Sequence, residues 1–419
     1  MSKTTFILIV AVSGVVLKPT LSVASAPITL WEAYQSALKK SEAVAISQSQ
    51  QRLSEARLDQ ATSGFKPSLT ASMNYQQQNV PLPSVGQKDQ ATAKLTLTQS
   101  LYAGGKDQAN VSAVRRDLEA QKWNGDLAQN SLYASIAKNF YSLLSAQKEV
   151  RNIETSIALN QKRTQELQQR KKIGKSRNIE VLAAQAQIAV LQAQLITAQG
   201  QLENAKNLFI NSTDLPLDRE LKEEPVPSLP LQDLSFYLKS VEERPNIQAQ
   251  RLLVESSSLT LDSVRAGHKP SLDFTGNAYP YRYRLISGAP DWDATLTLTI
   301  PLYAGGLVEG RVRESLEKKT QAELTLAQYR REAQLDIQTA YQSLVSSLNQ
   351  MNTLQSALAI TEQNYREQEK DFHFSLATNL DVLQALNTLH ETKQSLDRAH
   401  YDALLNYEKL KVAINKITK

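Results

Sequence analysis

The sequence predicts a mainly helical protein built from two copies of one strand-and-helix unit, and three observations lead to this prediction. The segment LTLTQSLYAGG at 95–105 returns 201 residues later as LTLTIPLYAGG at 296–306. The segment NIEVL at 178–182 returns at the same spacing as NLDVL. Each copy also holds a proline-free stretch of roughly 68 residues with apolar side chains at helical spacing, which corresponds to a helix of about 100 Å. Because the spacing between the landmarks is unchanged, the length of these helices matters to the protein.

Residues 1–24 predict a secretory signal peptide, with a weakly charged start and an apolar core over 6–17. Cleavage is expected after Ala24 or after Ala26. Ala24 is favoured because Pro27 would directly follow the second site. No later stretch is expected to approach the ~18 apolar residues that a membrane-spanning helix needs.

The composition excludes several classes of function. The chain has no cysteine, which excludes disulfides, thiolate metal sites and a lipidated N-terminal cysteine. Its formal charge of +5 falls to about +3 without the two lysines of residues 1–24, too little to indicate nucleic-acid binding. The four histidines have no partner at metal-ligand spacing, and no nucleophile motif or phosphate loop is present, so neither a metal nor a cofactor nor an enzyme activity is expected. An exported chain of this kind is either periplasmic or in a bacterial outer membrane.

Two shorter helices accompany each long helix. The long helices are expected at about 105–172 and 306–372, and the short ones at about 30–62, 178–211, 231–264 and 379–417. Each short helix is roughly half the length of a long one. Two short helices stacked end to end against one long antiparallel partner would account for these lengths, with packing rather than propensity holding them.

Between the first short helix and the long helix of each copy lie two stretches in which polar and apolar residues alternate. They are 68–76, 94–98, 271–275 and 295–300. Such segments are typical of transmembrane strands around a wet lumen, and a half-buried soluble hairpin is the alternative. Four strands cannot close a barrel with a lumen, and open strand edges are not tolerated in lipid. Several chains must therefore share one barrel if the strands span a membrane, and three chains would supply twelve strands.

The chain is thus expected to divide into a signal peptide (1–24), a first repeat (25–211), a proline-rich segment (212–230) and a second repeat (231–419). Each repeat runs in the order short helix, two strands, long helix, short helix. The proline-rich segment is not expected to be helical. Two interpretations of it stand, a passive linker or a collar around the helical body.

These features together resemble the TolC-like outer-membrane efflux protein family, the outer membrane factors, over essentially the whole mature chain. The resemblance rests on the duplicated order, the NIEVL and NLDVL helix restarts, and an Arg-Pro-Asn-Ile segment at 244–247 that opens the second half. The first half departs there, with Ser-Glu-Ala-Val at 41–44 and no proline, which weakens one helix start. The repeated strand-to-helix junctions are Tyr102, Gly104 and Gly105, and Tyr303, Gly305 and Gly306.

The resemblance implies a homotrimer with a twelve-stranded barrel in the bacterial outer membrane and a long helical tunnel in the periplasm. It implies a non-enzymatic exit duct of a tripartite efflux or type I secretion system, which passively conducts substrates to the exterior. The partners so implied are a periplasmic adaptor (membrane fusion) protein, an inner-membrane pump and outer-membrane lipid, with no nucleic acid. The alternatives are a soluble periplasmic coiled-coil scaffold or adaptor, which would need no detergent for extraction, and a secreted enzyme, which would need a polar site cluster.

By the same resemblance, the periplasmic entrance lies at the helix-to-helix turns 170–177 and 372–378. The candidate adaptor contacts at these tips are Gly174, Lys175, Ser375 and Leu376. Gly174 can adopt the positive φ that ends a helix, whereas the second turn lacks a glycine at Ser375. An ordinary exposed turn is the alternative, and the basic run at 170–172 is expected to be a solvated helix end.

Asp381 follows Thr378 at the spacing of a capping box, and a carboxylate is favoured in the first turn of a helix. The resemblance adds that aspartates here can ring a constriction, where three converging carboxylates would attract cations and hold protons more tightly. Capping alone and capping combined with a gate role both stand.

The other candidate gate residues are Phe372, Phe374, Gln384 and Glu180. Some members of the family carry a second aspartate at the position of Gln384 and a gating tyrosine at that of Phe372, and a basic residue is replaced here by Ala377. The entrance is therefore expected to be less locked by charge and held more by apolar contacts of Phe372 and Phe374.

Overall fold

The computed structural model describes residues 26–77, 89–227, 230–282 and 290–417, so the expected signal peptide and residues 228–229 of the proline-rich segment lie outside the described residues. The chain is mainly helical, with four antiparallel strands in two repeats, as predicted. Its elements in order are α1 (Leu30–Lys40), α2 (Glu42–Ser63), β1 (Ser68–Gln77), β2 (Asp89–Tyr102), α3 (Lys106–Lys172), α4 (Asn178–Thr213), α5 (Leu234–Leu238), α6 (Pro245–Arg265), β3 (Ser271–Arg282), β4 (Trp292–Thr299), α7 (Leu307–His373) and α8 (Asn379–Ala413).

The two long helices, α3 and α7, are each 67 residues long. Both begin directly after a glycine in the left-handed region, Gly105 (φ 87°) and Gly306 (φ 81°), where a residue without Cβ avoids a steric penalty. Helices α2 and α4 pack along α3, and α6 and α8 pack along α7, which confirms the predicted stacking of two short helices on one long helix.

Helices α6 and α8 also pack against α3, so the helices form a continuous layer. In the half nearer the strands its order is α2, α3, α6, α7, and in the other half it is α4, α3, α8, α7. The layer therefore has two free edges, one formed by α2 and α4 and the other by α7.

The prediction of one continuous helix over 30–62 is wrong, because the chain breaks at Ser41. The extended backbone of Ser41 ends α1, and its hydroxyl accepts a hydrogen bond from the Val44 amide at 3.4 Å to cap α2. Ser41 thus starts a helix where the second repeat uses Pro245 in the first turn of α6. The continuous helix predicted over 231–264 is likewise interrupted, by the 3₁₀ turn Lys239–Glu243 between α5 and α6.

The described part of the proline-rich segment is packed against the helical body. Ile28 forms a parallel bridge with Leu221, through Ile28 N–H to Glu220 O (2.8 Å) and Lys222 N–H to Ile28 O (2.7 Å). Leu221 and Val226 contact an apolar core centred on Phe140. This packing favours a collar over a passive linker, because the segment shares a core with α1, α3 and α4.

The strands form one sheet in the order β1-β2-β3-β4, with every neighbouring pair antiparallel. Cross-strand partners share a face, so the register shows the chemistry of each face. One face pairs Leu69 with Leu97 and Phe274 with Leu296, and the other pairs Thr70 with Thr96 and Thr275 with Thr295. The sheet therefore has one apolar face and one polar face, with β1 and β4 at its open edges.

Helix α4 is the one helix in the described parts of the chain that is long and apolar enough to cross a membrane, by length and composition alone. Only 22% of its most apolar 18-residue window is buried. The expectation that no stretch after the signal peptide approaches this apolar length is therefore wrong. Glutamines interrupt the apolar run of α4, but they are uncharged, so they lower its hydropathy without breaking it.

Candidate functional site

The two helix-to-helix turns are built by different residues in the same conformation. Gly174 follows α3 with φ 74°, and Ser375 follows α7 with φ 60°. In both turns an amide reaches back to the helix end, from Lys175 to Arg170 O and from Leu376 to Asp371 O, each at 2.8 Å. Ser375 adopts the left-handed region without the freedom of glycine, which costs about 1–2 kcal/mol. The four candidate tip residues, Gly174, Lys175, Ser375 and Leu376, are all exposed.

Phe372 lies between two arginines of α3. Its ring centroid is 3.7 Å from Cζ of Arg163 and 4.2 Å from Cζ of Arg170, and its side chain is 5% exposed. The same ring belongs to a small core with Leu167 and Val382. A cation over an aromatic face is attracted by the ring quadrupole, more strongly where water is excluded. We call this contact of Phe372 with Arg163 and Arg170 the arginine clamp.

Arg163 connects the clamp to the start of α8. Its Nε donates to Oδ1 of Asn379 at 3.1 Å, and its Nη1 donates to Glu166 at 3.0 Å. Burial lowers the pKa of Arg163, and the carboxylate of Glu166 acts in the opposite direction. Asn379 in turn donates to the backbone oxygen of Glu180 at 3.5 Å, so helices α3, α4, α7 and α8 meet at this point.

The two phenylalanines have different surroundings within the single chain. Phe374 is 68% exposed, whereas Phe372 is buried against apolar side chains and against the guanidinium groups of Arg163 and Arg170. Phe372 is in the last turn of α7 and faces α3, whereas Phe374 is the residue after the helix, where the backbone turns its side chain outward. That apolar contacts of both residues hold the entrance of the assembled duct stays a prediction.

Asp381 forms the capping box that the spacing predicts. Its Oδ2 accepts from the Thr378 amide at 2.8 Å, and the Asp381 amide donates to the Thr378 hydroxyl at 3.4 Å. The Thr378 hydroxyl also donates to Oδ2 of Asp381, at 2.6 Å. In the single chain, this bond and the bond from the Thr378 amide lower the pKa of the exposed Asp381, opposite to the direction expected for three converging carboxylates. Gln384 is exposed one turn further along the same face of α8.

Glu180 occupies the matching position at the start of α4. Partial burial acts to raise its pKa, but hydrogen bonds from Ser176 (2.7 Å) and Arg177 (3.0 Å) prevail, and the pKa of Glu180 is lowered. The structure therefore places Glu180 in contact with its own turn. It joins the arginine clamp through its backbone oxygen rather than through its carboxylate.

The repeated junctions between strands and long helices have the same backbone but different surroundings. Gly104 and Gly305 have φ of 65° and 61°. A Cβ on Gly104 would lie 2.6 Å from Cβ of Lys269, whereas a Cβ on Gly305 would meet no atom of the described residues within 4 Å. Tyr102 is 52% exposed and Tyr303 is 90% exposed. The second junction is the more open because it lies at the free edge of the sheet.

Sequence reasoning missed Arg163, Arg170 and Asn379, and the interpretation of 170–172 as a solvated helix end is wrong for Arg170. That side chain is 17% exposed and donates to Phe372 O at 3.4 Å. The sequence does indicate that these arginines share a face with the core, because Arg163, Leu167 and Arg170 follow the i, i+4, i+7 spacing of one helix face. In the described parts of the chain, no group of three or more His, Asp or Glu residues is arranged to hold a metal ion.

Comparison with known proteins places this geometry in a family. The family model described as outer membrane efflux protein matches residues 33–210 and 237–416. The efflux protein BepC of Brucella suis is 21% identical over 396 residues, which cover 93% of this chain and 86% of BepC. TolC of Escherichia coli is 22% identical over 381 residues, 87% of this chain and 77% of TolC. The protease secretion protein PrtF of Dickeya chrysanthemi is 22% identical over 170 residues, 39% of this chain and 36% of PrtF.

Solved structures share the fold at low sequence identity. CusC superimposes with a TM-score of 0.83 at 16% identity and covers 92% of this chain and 91% of CusC. The open state of MtrE from Neisseria gonorrhoeae gives a TM-score of 0.77 at 18% identity, with 93% and 91% covered. A duplicated strand-and-helix unit, a two-faced sheet and long helices that end in paired turns are thus the fold that this chain shares with solved outer-membrane channels.

The chain belongs to the outer membrane efflux protein family, and it is a non-enzymatic efflux channel of the TolC type. This assignment decides against the alternatives of a soluble scaffold and a secreted enzyme.

Proposed function

We propose that this channel is the exit duct of a tripartite efflux or type I secretion system and that it works as a homotrimer. The observation that carries the proposal is the sheet, which has one apolar face, one polar face and two unpaired edges. Backbone groups on open edges are too costly in lipid, so the sheet must close with sheets of other chains. Three chains give twelve strands, with the apolar face toward lipid and the polar face around the lumen.

The helical layer supports the same closure, because it too has two free edges. Exposed apolar side chains lie on the edge helix α4 and on α7, where a single chain leaves them in water. They include Leu182, Val190 and Ile196 on α4, and Leu335 and Ile360 on α7. Contact between α4 of one chain and α7 of the next would bury both sets and would account for the apolar character of α4.

The paired turns lie at the end of the long helices away from the sheet, and α3 alone spans about 100 Å. With the sheet in the outer membrane, the turns lie deep in the periplasm. The exposed tips Gly174, Lys175, Ser375 and Leu376, with Ile173 at 68% exposure beside them, are the docking surface for a periplasmic adaptor that links the duct to an inner-membrane pump. Relatives named for efflux and for protease secretion support both kinds of cargo.

The turns also form the proposed gate. The arginine clamp holds α7 against α3, and exposed Asp381 and Gln384 start α8 beside it. In a trimer, Asp381 of each chain would approach the common axis and favour cations. Phe374 and Glu180 complete the candidate gate, the first as an exposed apolar side chain and the second through its contacts with the α3–α4 turn.

The proposed organisation keeps the boundaries expected from the sequence. The repeats 25–211 and 231–419 are the two structural units, and 212–230 is a collar that holds the start of the mature chain through Ile28. The collar lies where the two short helices on each long helix meet end to end, and it covers the core that α1, α3 and α4 share.

Cell fractionation followed by light scattering on the detergent-extracted protein tests the proposal, together with conductance in a planar lipid bilayer. We expect a protein of three times the chain mass in the outer-membrane fraction that forms conducting pores. A monomer in the soluble periplasm would contradict the shared barrel and the duct together.

A further inference from the structure

The two repeats meet inside one chain through a specific interface. Strand β2 and helix α3 of the first repeat contact strand β3 and helix α6 of the second. The free edges of the chain consist of the equivalent elements. Strand β4 and helix α7 are the second copies of β2 and α3, and β1 and α2 are the first copies of β3 and α6. The chain therefore exposes, on opposite edges, the two halves of an interface that it already makes internally.

The internal sheet register can be carried over to the free edges. Within the chain, Leu97 pairs with Gly276, and Thr98 pairs with Thr275. The repeat offset is 201 residues for β2 to β4, set by the LYAGG segments. It is 203 residues for β1 to β3, set by Gly-Phe-Lys-Pro-Ser-Leu at 64–69 and Gly-His-Lys-Pro-Ser-Leu at 267–272.

With these offsets, Leu298 would pair with Met73 of the next copy, and Thr299 with Ser72. The first pair lies on the apolar face and the second on the polar face, as the internal pairs do. The agreement of faces is informative because a slip of one residue would set every apolar side chain against the polar face.

The helices carry a second, independent indication. Nε of Arg116 on α3 lies 3.1 Å from Oε2 of Glu255 on α6, and this ion pair crosses the internal interface. The equivalent positions are Glu317 on α7 and Arg52 on α2, which carry the same two charges exchanged. Both side chains are exposed on the free edges, and neither is in an ion pair within the described ranges of the chain.

The strand-to-helix junction gives a third indication. Gly104 packs against Cβ of Lys269, and the equivalent residues are Gly305 and Lys66. Gly305 has open space around it at the free edge. The neighbouring copy's Lys66 would therefore occupy beside Gly305 the place that Lys269 takes beside Gly104.

We infer that, where a second copy of the chain closes the barrel in the register of the internal repeat interface, Glu317 forms an ion pair with the partner subunit's Arg52. This pair is the charge-exchanged equivalent of Arg116–Glu255. The inference rests on the proposed function, because it specifies how the shared barrel closes. The pairing between copies is expected to be shorter than the internal pairing at one end. Pro301 is the equivalent of Ser100, and proline has no backbone N–H to donate, so hydrogen bonds that need this donor end at Ile300.

Cysteine crosslinking tests the register, because the chain has no cysteine of its own. Directly paired strand residues have Cα atoms about 4.5–5.5 Å apart, within the range of a disulfide. We expect Ser72→Cys with Thr299→Cys to give covalent dimers and trimers on a non-reducing denaturing gel of the detergent-extracted protein. The internal equivalent, Thr98→Cys with Thr275→Cys, should crosslink within one chain and keep the monomer mass.

A matched decoy shifts the register by two residues and keeps the same face. Asn74→Cys with Thr299→Cys would place Cα atoms about 7–8 Å apart, so its crosslinking should be at least about tenfold slower. A trimer that crosslinks faster through the decoy, or through neither pair, would overturn the register and leave the duct intact. A monomer that crosslinks through neither pair would overturn both.

The ion pair is tested by charge exchange in the Ser72→Cys, Thr299→Cys background at low ionic strength. Arg52→Glu or Glu317→Arg alone places like charges together, and we expect either to slow the intersubunit crosslink several-fold. The double variant Arg52→Glu, Glu317→Arg should restore the original rate. Failure of the double variant to exceed both single variants would overturn the assignment of this pair.

Discussion

Cζ of Arg163 lies 3.7 Å from the ring centroid of Phe372, so a cation on α3 stacks on the aromatic residue in the last turn of α7. Arg163 is 5% exposed and also holds Asn379 in the first turn of α8. Moving Phe372 away would leave a buried guanidinium with fewer partners, which is costly. The contact therefore opposes separation of α7 and α8 from α3, which would widen the tip in the proposed gate.

Phe372→Leu should loosen the α7–α8 turn. A cation–π contact contributes about 0.5–2 kcal/mol, so the loss of even one of the two should raise amide hydrogen exchange at 375–381 by about 2- to 30-fold, and channel conductance in a bilayer should increase. Phe374→Leu is the matched control, because Phe374 is exposed and its removal breaks no contact with an arginine. Equal effects of the two substitutions would count against the clamp.

Asp381→Asn should reduce the cation preference of the channel, measured as the reversal potential in a salt gradient across a bilayer. Because Thr378 lowers the pKa of Asp381, its capping contribution is present above the ordinary aspartate pKa and is lost only as the pH falls below that range. Selectivity of the native channel should therefore not change with pH near neutrality. Glu367→Gln, an exposed change on α7, is the control, and an unchanged reversal potential in Asp381→Asn would leave capping as the role of this residue.

Tyr133→Phe should destabilise the protein by about 1–3 kcal/mol, because it removes a donor from a buried carboxylate. The Tyr133 hydroxyl donates to Glu408 at 2.6 Å, and both residues are at most 2% exposed. Tyr141→Phe is a close control, since the Tyr141 hydroxyl is buried on the same helix and has no hydrogen-bond partner among the residues that the structure describes. Denaturant unfolding should show a lower free energy of unfolding for Tyr133→Phe and little or no change for Tyr141→Phe. A larger loss for Tyr141→Phe would contradict the role of the Tyr133 hydrogen bond.

Glu224→Gln should stabilise the protein at neutral pH and have little effect in acid. Burial, together with the charge of Glu408, raises the pKa of Glu224 above its ordinary value. A raised carboxyl pKa means that the stability held at low pH is lost as the pH rises through the folded pKa. The melting temperature of the variant should therefore exceed that of the native protein at pH 8, and the difference should vanish below about pH 4. Exposed Glu220→Gln should show no such trend.

Much of the fold follows from the sequence because its pattern is local and repeated. The bounds of α3 and α7, the four strands and the Asp381 capping box all depend on residues close together in the chain. The break at Ser41 was missed because a serine cap competes with a favourable helical pattern and leaves a weaker mark than proline. The apolar length of α4 was missed because uncharged glutamines interrupt it.

By itself, the sequence determined the duplicated architecture, the alternation of the strands and the position of the two turns, since each is set by periodicity or by a turn residue. Only the tertiary structure decided that Arg163 and Arg170 enclose Phe372, because that contact joins helices some 200 residues apart in the chain. It also decided which edges stay unpaired. The packing of α6 and α8 on α3 closes one copy of the repeat interface inside the chain and leaves the other copy for a neighbour.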